Sequence, residues 1–462
     1  MKTIHHTTMQ KHGDLLTPVS IFYKLQGQQK CLLESSFVHE TKGKYSFIAM
    51  NPVQEIIGHQ TYTTIRYTKE NRSERFEMDA LRYLEQVFPK IDVPLPFPFY
   101  GGAIGYLSFD SVQTHLSTQD DELNMPDAHF LVYDTVIVYE HRTNLLHLVA
   151  FGLNGESIET LDDRLQNVYA QLEYDVPIPS QPENTLQFVP QIPKETFIQQ
   201  VERAQQLLKT ENMQQIVLSQ RLIADMTGDA FSFYRHLRAA NPSPYMFYID
   251  FGPYLVVGAS PESLVHTTGT QVRTNPIAGT RPRGKTAEED LIIQQSLRTD
   301  EKELTEHDML VALSEQDLQK VCDARTITTP IYKKIEMYEH VMHLVSEVHG
   351  TLRAGCSSVD ALKACFPAGT VSGSPRQKAM QLLQALEPQK RGVYAGGIGY
   401  FSFNHDLNFA IAIRSLVIRN EKAYLQVGAG IIEQSIPEKE YEETLHKAQS
   451  LLNQQNQQAI HQ

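Results

Sequence analysis

The sequence predicts an α+β protein built on antiparallel sheets. Strand-like runs and amphipathic helices are mixed along the chain, without the strict alternation a doubly wound parallel sheet needs. The first third is dominated by β-branched and aromatic runs between turns: KYSFIAM (44–50), TYTTIRYT (61–68) and HFLVYDTVIVYE (129–140). With 462 residues, 41% hydrophobic and 21% charged, the chain can bury a large core without disulfide or metal staples, and it is far from the composition of disorder.

Taken in order, one helix is expected at 78–88, where Leu81, Tyr83, Leu84 and Val87 make an apolar face. PKIDVPLPFPFYGG (89–102) reads as an extended segment ending on paired glycines. DVPIPSQPENTLQFVPQIPK (175–194), with five prolines, is the clearest linker. It separates an N-terminal part, 1–190, from a second part, 191–455. The second part opens with an amphipathic helix over 194–213, whose Phe197, Val201, Ala204, Leu207 and Leu208 share a face. The strand QIVLSQRLIADM follows. Further helices are expected at 230–240, 286–297, 302–313, 336–347, 358–365, 374–385 and 437–453. Further strands are expected at 245–250, 254–259, 392–403, 408–418 and 422–428. One motif echoes itself: Tyr100-Gly-Gly-Ala-Ile-Gly-Tyr106 recurs as Tyr394-Ala-Gly-Gly-Ile-Gly-Tyr400. The spacing is far too long for a solenoid repeat. Either an old duplication of a sheet unit or chance similarity of glycine-aromatic strands accounts for it.

Charge and composition exclude several classes. Lys plus Arg is 41 against 54 for Asp plus Glu, a net charge of −13, so a nucleic-acid partner is not expected. The N-terminus has no apolar run behind its lysine, and no window reaches a membrane span of about 18 apolar residues. No membrane partner is expected. Cys31, Cys322, Cys356 and Cys365 fit neither a zinc knuckle nor a redox CxxC, and read as reduced thiols of a cytoplasmic protein.

Several segments could carry chemistry. Glu303/Glu306 and Glu440/Glu443 are glutamate pairs three apart, which puts each pair on one helix face. Two such faces turned together would offer hard oxygen ligands for Mg²⁺, although single pairs are common on solvated helices. NPIAGTRPRG (275–284), FPAGTVSGSP (366–375) and QVGAGI (426–431) could expose backbone N–H groups to an anion, or be plain tight turns. None is a nucleotide-binding fingerprint. Arg414 interrupts an apolar strand pattern and needs an anionic partner, either a structural carboxylate or a substrate. His343, in VMHLVS, is either a satisfied core histidine or a general acid/base.

In order, QIVLSQR (215–221), NPIAGTRPRG, KELTEHDMLV (302–311), VMHLVSEVHG (341–350), FPAGTVSGSP, RGVYAGGIGY (391–400), IAIR (411–414), GAGI (428–431) and PEKEYEETLHKA (437–448) resemble the chorismate-utilising enzymes. Within them they resemble component I of the anthranilate synthases. The resemblance covers roughly 200–450 strongly and reaches the N-terminus weakly through LLESS (32–36) and GKYSF (43–47). It implies a two-sheet antiparallel β-sandwich with helices packed outside, and chorismate as substrate. It implies that Glu306 and Glu443 hold Mg²⁺, with Glu303 and Glu440 ligating directly or through water. It implies that Arg414 takes the enolpyruvyl carboxylate, with Tyr394, Lys447 and the amides of Gly428, Ala429 and Gly430 at that end. Gly279 and Thr280 would lie near the ring carboxylate, Thr370 would fix orientation, and His343 would protonate the departing 4-hydroxyl.

Two positions separate the branches. Water-using members carry a lysine base where this chain has Gln215, and an amide cannot deprotonate water. Aminodeoxychorismate synthases carry PIKGT, whose lysine is a nucleophile, where this chain reads Pro276-Ile277-Ala278-Gly279-Thr280. Direct attack by ammonia is the expected chemistry, and aminodeoxychorismate synthase component I is the alternative. A degenerate binding or regulatory subunit is a third reading, disfavoured by the intact acidic and basic set. LLES and PSPYM resemble a tryptophan feedback site, with Glu34, Ser35, Lys44, Pro244, Tyr245 and Met246 lining it. No cysteine fits a glutaminase elbow, so a separate glutamine amidotransferase partner is expected to supply ammonia. Three departures stand out: the family's aspartate-leucine-x-arginine-asparagine-aspartate is Ala312-Leu-Ser-Glu315-Gln316-Asp317 here, its GAPK is Gly373-Ser-Pro-Arg376, and a common aspartate is Asn408.

Overall fold

Alternating apolar runs with both faces covered dictate sheets that stack, and two antiparallel sheets of 12 strands each organise the chain. The structure is a computed structural model that describes residues 4–35, 43–112, 122–177, 179, 186–338 and 341–452. Ser36 of the LLESS motif and much of the proline-rich linker lie outside the described residues.

The middle of the first sheet runs Tyr45–Ala49, Cys31–Glu34, Tyr245–Asp250, Leu255–Ser260, Ser415–Arg419, Lys422–Ile431, Gln215–Asp225. The second runs from Ile277–Pro282 through Val341–Thr351, Gln271–Thr274, Ser263–Thr268, Leu407–Ile411 and Gly397–Ser402 to Gly102–Leu107 and beyond. Each sheet takes strands from both sides of residue 190. The main core joins the inner faces: Phe47 of the first sheet meets Tyr400 of the second edge-on at 5.9 Å. A second core lies on the outer face of the first sheet. There Phe22, Leu165 and Phe231 bring down the helices Pro18–Lys24, Ile158–Leu172 and Ala230–Ala240.

The repeated motif has a structural meaning. Its two copies are antiparallel neighbours in the second sheet, with Gly105 opposite Gly399, Ile104 opposite Tyr400 and Tyr106 opposite Ile398. Each isoleucine faces the other copy's tyrosine, so the pair is locally two-fold symmetric. The central glycines are obligatory. A Cβ on Gly105 would lie 1.9 Å from the His129 carbonyl oxygen, and one on Gly399 2.0 Å from that of Asn408.

Four segments differ from the sequence expectation. The run 129–140 is two strands in different sheets, Ala128–Tyr133 and Thr135–Glu140. Residues 336–338 and 341–347 are not helical, and the rest of that expected helix lies outside the described residues. The described ones span the end of the strand Thr328–Met337 and the start of Val341–Thr351, which pair with each other. Val341, Leu344, Val345 and Val348 fit a helical period, but pairing with Gln271–Thr274 and Ile277–Pro282 decides the conformation. The strand expected over 392–403 begins only at Gly397, after a turn that carries Tyr394 and Ala395 at φ 63°. The single strand expected over 408–418 is two strands in different sheets, Leu407–Ile411 and Ser415–Arg419, broken at a left-handed Arg414 with φ 50°.

That break is one of a pair. The chain passes from the first sheet to the second between Ser260 and Ser263, and returns between Ile411 and Ser415. The crossings are stitched together: Ile411 N–H donates to Glu262 O at 3.0 Å, Ala259 N–H to Arg414 O at 3.1 Å, and Ser260 Oγ to Ile411 O at 2.7 Å. Glu262 and Arg414 are thereby brought to one place.

Because the neighbouring backbone leaves no room for a methyl group, Gly105→Ala should destabilise the fold by about 1–3 kcal/mol. Urea unfolding of the variant checks this; an unchanged midpoint would mean the strands relax around the added carbon.

Candidate active site

The paired crossings open onto a cavity of about 1070 Å³. Its walls come from the strands Gln215–Asp225 and Lys422–Ile431, the helices Glu301–Gln319 and Pro437–Leu452, and the short helix Gly369–Ser372. Of the residues singled out from sequence, Thr370, Tyr394, Arg414, Gly428, Gly430, Lys447, Glu306, Glu440 and Glu443 line it. Ala429 alternates to the other face of its strand, where its side chain is buried in the core, so only its backbone faces this region. Gly279, Thr280, Glu303 and His343 form an adjoining cluster. Thr280 Oγ1 and His343 Nδ1 lie 3.0 Å apart, and a Cβ on Gly279 would lie 3.4 Å from a Glu303 carboxylate oxygen.

The cationic part of the cavity is built from backbone strain and burial. Arg414 is half-buried, and desolvation presses its guanidinium below the ordinary value while Glu262 opposes this. Its side chain makes no ion pair of contact distance among the described residues, so its donors are open to an anion. Lys447 Nζ donates to Gly428 O at 2.9 Å and pairs with Glu443 at 2.7 Å. Gly428 lies under Tyr394, whose hydroxyl would sit 2.6 Å from a Cβ there. Burial raises the Tyr394 phenol to about 12, so it is a hydrogen-bond donor at neutral pH.

The acidic wall comes from two helix starts. Asp300 caps Glu301–Gln319 by accepting from Glu303 N–H at 3.2 Å, and acidic residues occupy the first turns of both helices, where the dipole favours them. Glu303 is held by Arg281 at 3.0 Å. Glu306 and Glu440 have no ion pair among the described residues. The Glu306 carboxyl is raised by burial and then by the Glu303 and Glu443 charges; Glu440 is raised by burial and then by Glu443. Crowded carboxylates of this kind suit a hard dication, which would relieve their repulsion. They are not preassembled: among the described residues no three His, Cys, Asp or Glu side chains stand close enough to hold a metal ion.

One residue of the site escaped the sequence reading. Glu262, in Ser-Pro-Glu at the first crossing, lines the cavity. Burial raises its carboxyl to about 7, against the pull of the Thr370 hydroxyl, which donates to it at 3.2 Å, and of Arg414. A carboxyl raised in this way retains a proton closer to neutrality than an exposed glutamate does. By contrast, burial and then Arg414 lower His343 to about 4, so its imidazolium is scarce at neutral pH. An acidic residue just past the end of an apolar strand was the available signal for Glu262. Gln215 also lines the cavity, its amide packed so close to Gly430 that a Cβ there would lie 2.2 Å away.

A second cavity of about 750 Å³ gathers Glu34, Ser35, Lys44, Pro244, Tyr245 and Met246, all six residues of the other sequence-derived set. Glu34 and Met246 are cross-strand partners. Glu34 is buried; Oε1 accepts from the Tyr234 hydroxyl and from Arg238 Nε, each at 2.6 Å, while Oε2 has no partner. An ammonium group would supply the missing donor.

Carboxylates and an arginine without an ion pair on the walls of one cavity fit an enzyme of small anionic substrates. The chain belongs to the chorismate binding enzymes, whose family pattern matches residues 30–453. It is 40% identical over 449 residues to anthranilate synthase component 1 of Lactococcus lactis subsp. lactis (strain IL1403), covering 95% of this chain and 97% of that one. It is 37% identical over 439 residues to aminodeoxychorismate synthase component 1 of Bacillus subtilis (strain 168), covering 92% of each. Its structure superposes on the crystal structure of anthranilate synthase component I from Streptococcus pneumoniae TIGR4 with a TM-score of 0.83 at 38% identity, over 96% of this chain and 98% of that one.

Folding raises the Glu262 carboxyl from 4.5 to about 7, so the folded chain keeps a proton there that the unfolded chain releases. Its contribution to stability is full below the unfolded value and is lost as pH rises through about 7. Denaturant titrations across that window should show wild type losing stability relative to Glu262→Gln. Parallel pH dependences would mean an ordinary, ionised Glu262.

Proposed function

We propose that this chain is component I of an anthranilate synthase, converting chorismate and ammonia to anthranilate, pyruvate and water. The observation that carries this reading over its neighbours in the family is Gln215 on the cavity wall. Its amide can hydrogen-bond ammonia but cannot activate water, and Ala278 offers no nucleophile in place of a lysine.

In this reading Arg414 takes the enolpyruvyl carboxylate, assisted by Tyr394 and the Gly428–Gly430 backbone. Thr370 orients Glu262. As ammonia forms its bond to C2, Glu262 gives its proton to the 4-hydroxyl, which leaves as water. Loss of the C2 proton then expels pyruvate and leaves the aromatic ring. His343 holds Thr280 beside the ring carboxylate, and Glu262 takes the proton-donor role that the sequence alone gave to His343. Glu306, Glu440 and Glu443, with Glu303, would hold Mg²⁺, which when bound offsets the charge of the ring carboxylate against the acidic wall. The second cavity is read as a tryptophan feedback site, in which Glu34 Oε2 takes the ligand's ammonium. Ammonia is supplied by a separate glutaminase subunit, consistent with relatives named as component 1. The four free cysteines fit work in the reducing cytoplasm. No helix of the described residues is long and apolar enough to cross a membrane.

The test is to mix the chain with chorismate, Mg²⁺ and an ammonium salt and follow anthranilate fluorescence. Anthranilate that falls on adding tryptophan is expected. An amino-chorismate without pyruvate release would establish the second reading, aminodeoxychorismate synthase, which the Bacillus relative favours. Glu306→Gln should remove Mg²⁺-dependent turnover; retained activity would take it out of the metal set. Glu262→Gln should slow turnover roughly 100- to 10,000-fold. A smaller loss would return the acid role to His343. Glu34→Gln should leave catalysis intact but weaken inhibition by tryptophan roughly 10- to 100-fold, the worth of a charge-assisted hydrogen bond. Unchanged inhibition would sink the proposed ammonium contact.

A further inference from the structure

Between the two large cavities lies a small chamber of about 50 Å³. It shares Glu262 and Thr370 with the catalytic cavity and Asn275 with the other. Its lining holds hydroxyls that no mechanism above uses. Thr274 and Ser263 are 5% and 7% exposed, and neither Thr274 Oγ1 nor Ser263 Oγ has a hydrogen-bond partner. Arg376 Nε, also on the chamber wall, is unpartnered too.

Buried polar atoms left without partners are costly, and a cavity of about 10–15 Å³ already admits a water that has polar neighbours. The chamber exceeds that size and offers three such neighbours. We propose that it holds ordered water hydrogen-bonded to Thr274, Ser263 and Arg376, and that this water couples the feedback cavity to the catalytic one. The proposal rests on the feedback reading of the second cavity.

The connections run on both sides of the water. Asn275, on the wall of the feedback cavity, follows Thr274 directly in the chain. Tyr245, on the same wall, lies close enough to Ser263 for that hydroxyl to act on its phenol, against the rise that burial causes. On the catalytic side Ser263 follows Glu262, which accepts from Thr370 at 3.2 Å. Past Asn275 the backbone enters the strand Ile277–Pro282, tied to its neighbour by Ser346 N–H donating to Pro276 O at 3.1 Å. A ligand that shifts Tyr245 or Asn275 therefore changes the hydrogen bonds offered to water beside the Glu262 carboxyl. Coupling of two sites needs such a shared element that both ligands bias.

The chain contains no tryptophan, so bound tryptophan can be followed by its own indole fluorescence. Tryptophan affinity is measured with and without saturating chorismate, on the full chain with Mg²⁺. The wild type should show a coupling factor of about 5-fold or more. In the Ser263→Ala/Thr274→Val double variant that factor should fall below about 2-fold, with the affinity for tryptophan alone and the KM for chorismate alone each kept within about 3-fold. Ser263→Ala/Thr274→Ser, which puts a hydroxyl back at 274, should recover coupling. Unchanged coupling in the double variant overturns the water bridge alone. A wild type that does not bind tryptophan overturns the feedback reading and the bridge with it. A high-resolution crystal structure of the wild type gives an independent reading: water on Thr274 Oγ1 is expected, and a dry chamber overturns the proposal even if the double variant fails to fold.

Discussion

The site depends on one constraint: the chain changes sheets twice at the same place. Two stacked sheets give an apolar interior in which a charge is unwelcome. Where strands leave one sheet for the other, the backbone departs from the ladder and leaves room for a polar side chain. Here the two crossings lie side by side and hydrogen-bond to each other. Each contributes one charged residue, Glu262 and Arg414.

From that constraint the electrostatics follow. Burial pushes Glu262 toward its neutral form and disfavours the charged form of Arg414. A substrate carboxylate would relieve the second strain, and a proton-accepting leaving group would use the first. The acidic wall is set apart from this pair, on helix starts whose dipoles tolerate concentrated negative charge. The cavity thus gathers an arginine and a carboxyl at the crossings and several glutamates on the helix starts, joined through Lys447, which pairs with Glu443.

Much of this was legible in the chain, and the failures have physical causes. The acidic pairs were readable because helix geometry fixes residues three apart on one face. Arg414 was readable because an arginine inside an apolar run has few structural explanations. The break that makes Arg414 useful was not, since FAIAIRSLVI has the pattern of one continuous strand, and only the partner strands reveal that its halves belong to different sheets. Residues 336–338 and 341–347 were misread for the same reason: long-range pairing overrode a helical period. Glu262 was missed because its role lies in burial, which no local pattern encodes. The six residues of the second cavity were found through motif order, and their spatial meeting depends on the cross-strand register of Glu34 with Met246.

The departures from the family pattern along the helix Glu301–Gln319 are also explained by tertiary partners. Asp317, retained, pairs with Arg376, which stands where relatives carry a lysine, and with Lys320 at 2.8 Å. Arg376 also donates to Ala364 O at 2.9 Å, tying the start of its helix to the end of Ser358–Cys365. Glu315, where an arginine is usual, accepts from the Thr329 hydroxyl at 3.0 Å on the neighbouring strand. The helix Glu301–Gln319 is unbroken through the altered stretch. The substitutions change how this helix is pinned at its C-terminal end while Asp300 and Arg281 pin its start. Because Glu303 and Glu306 sit in the first two turns, their placement is set by that N-terminal anchor. A different anchor at the far end therefore leaves the acidic face where it was.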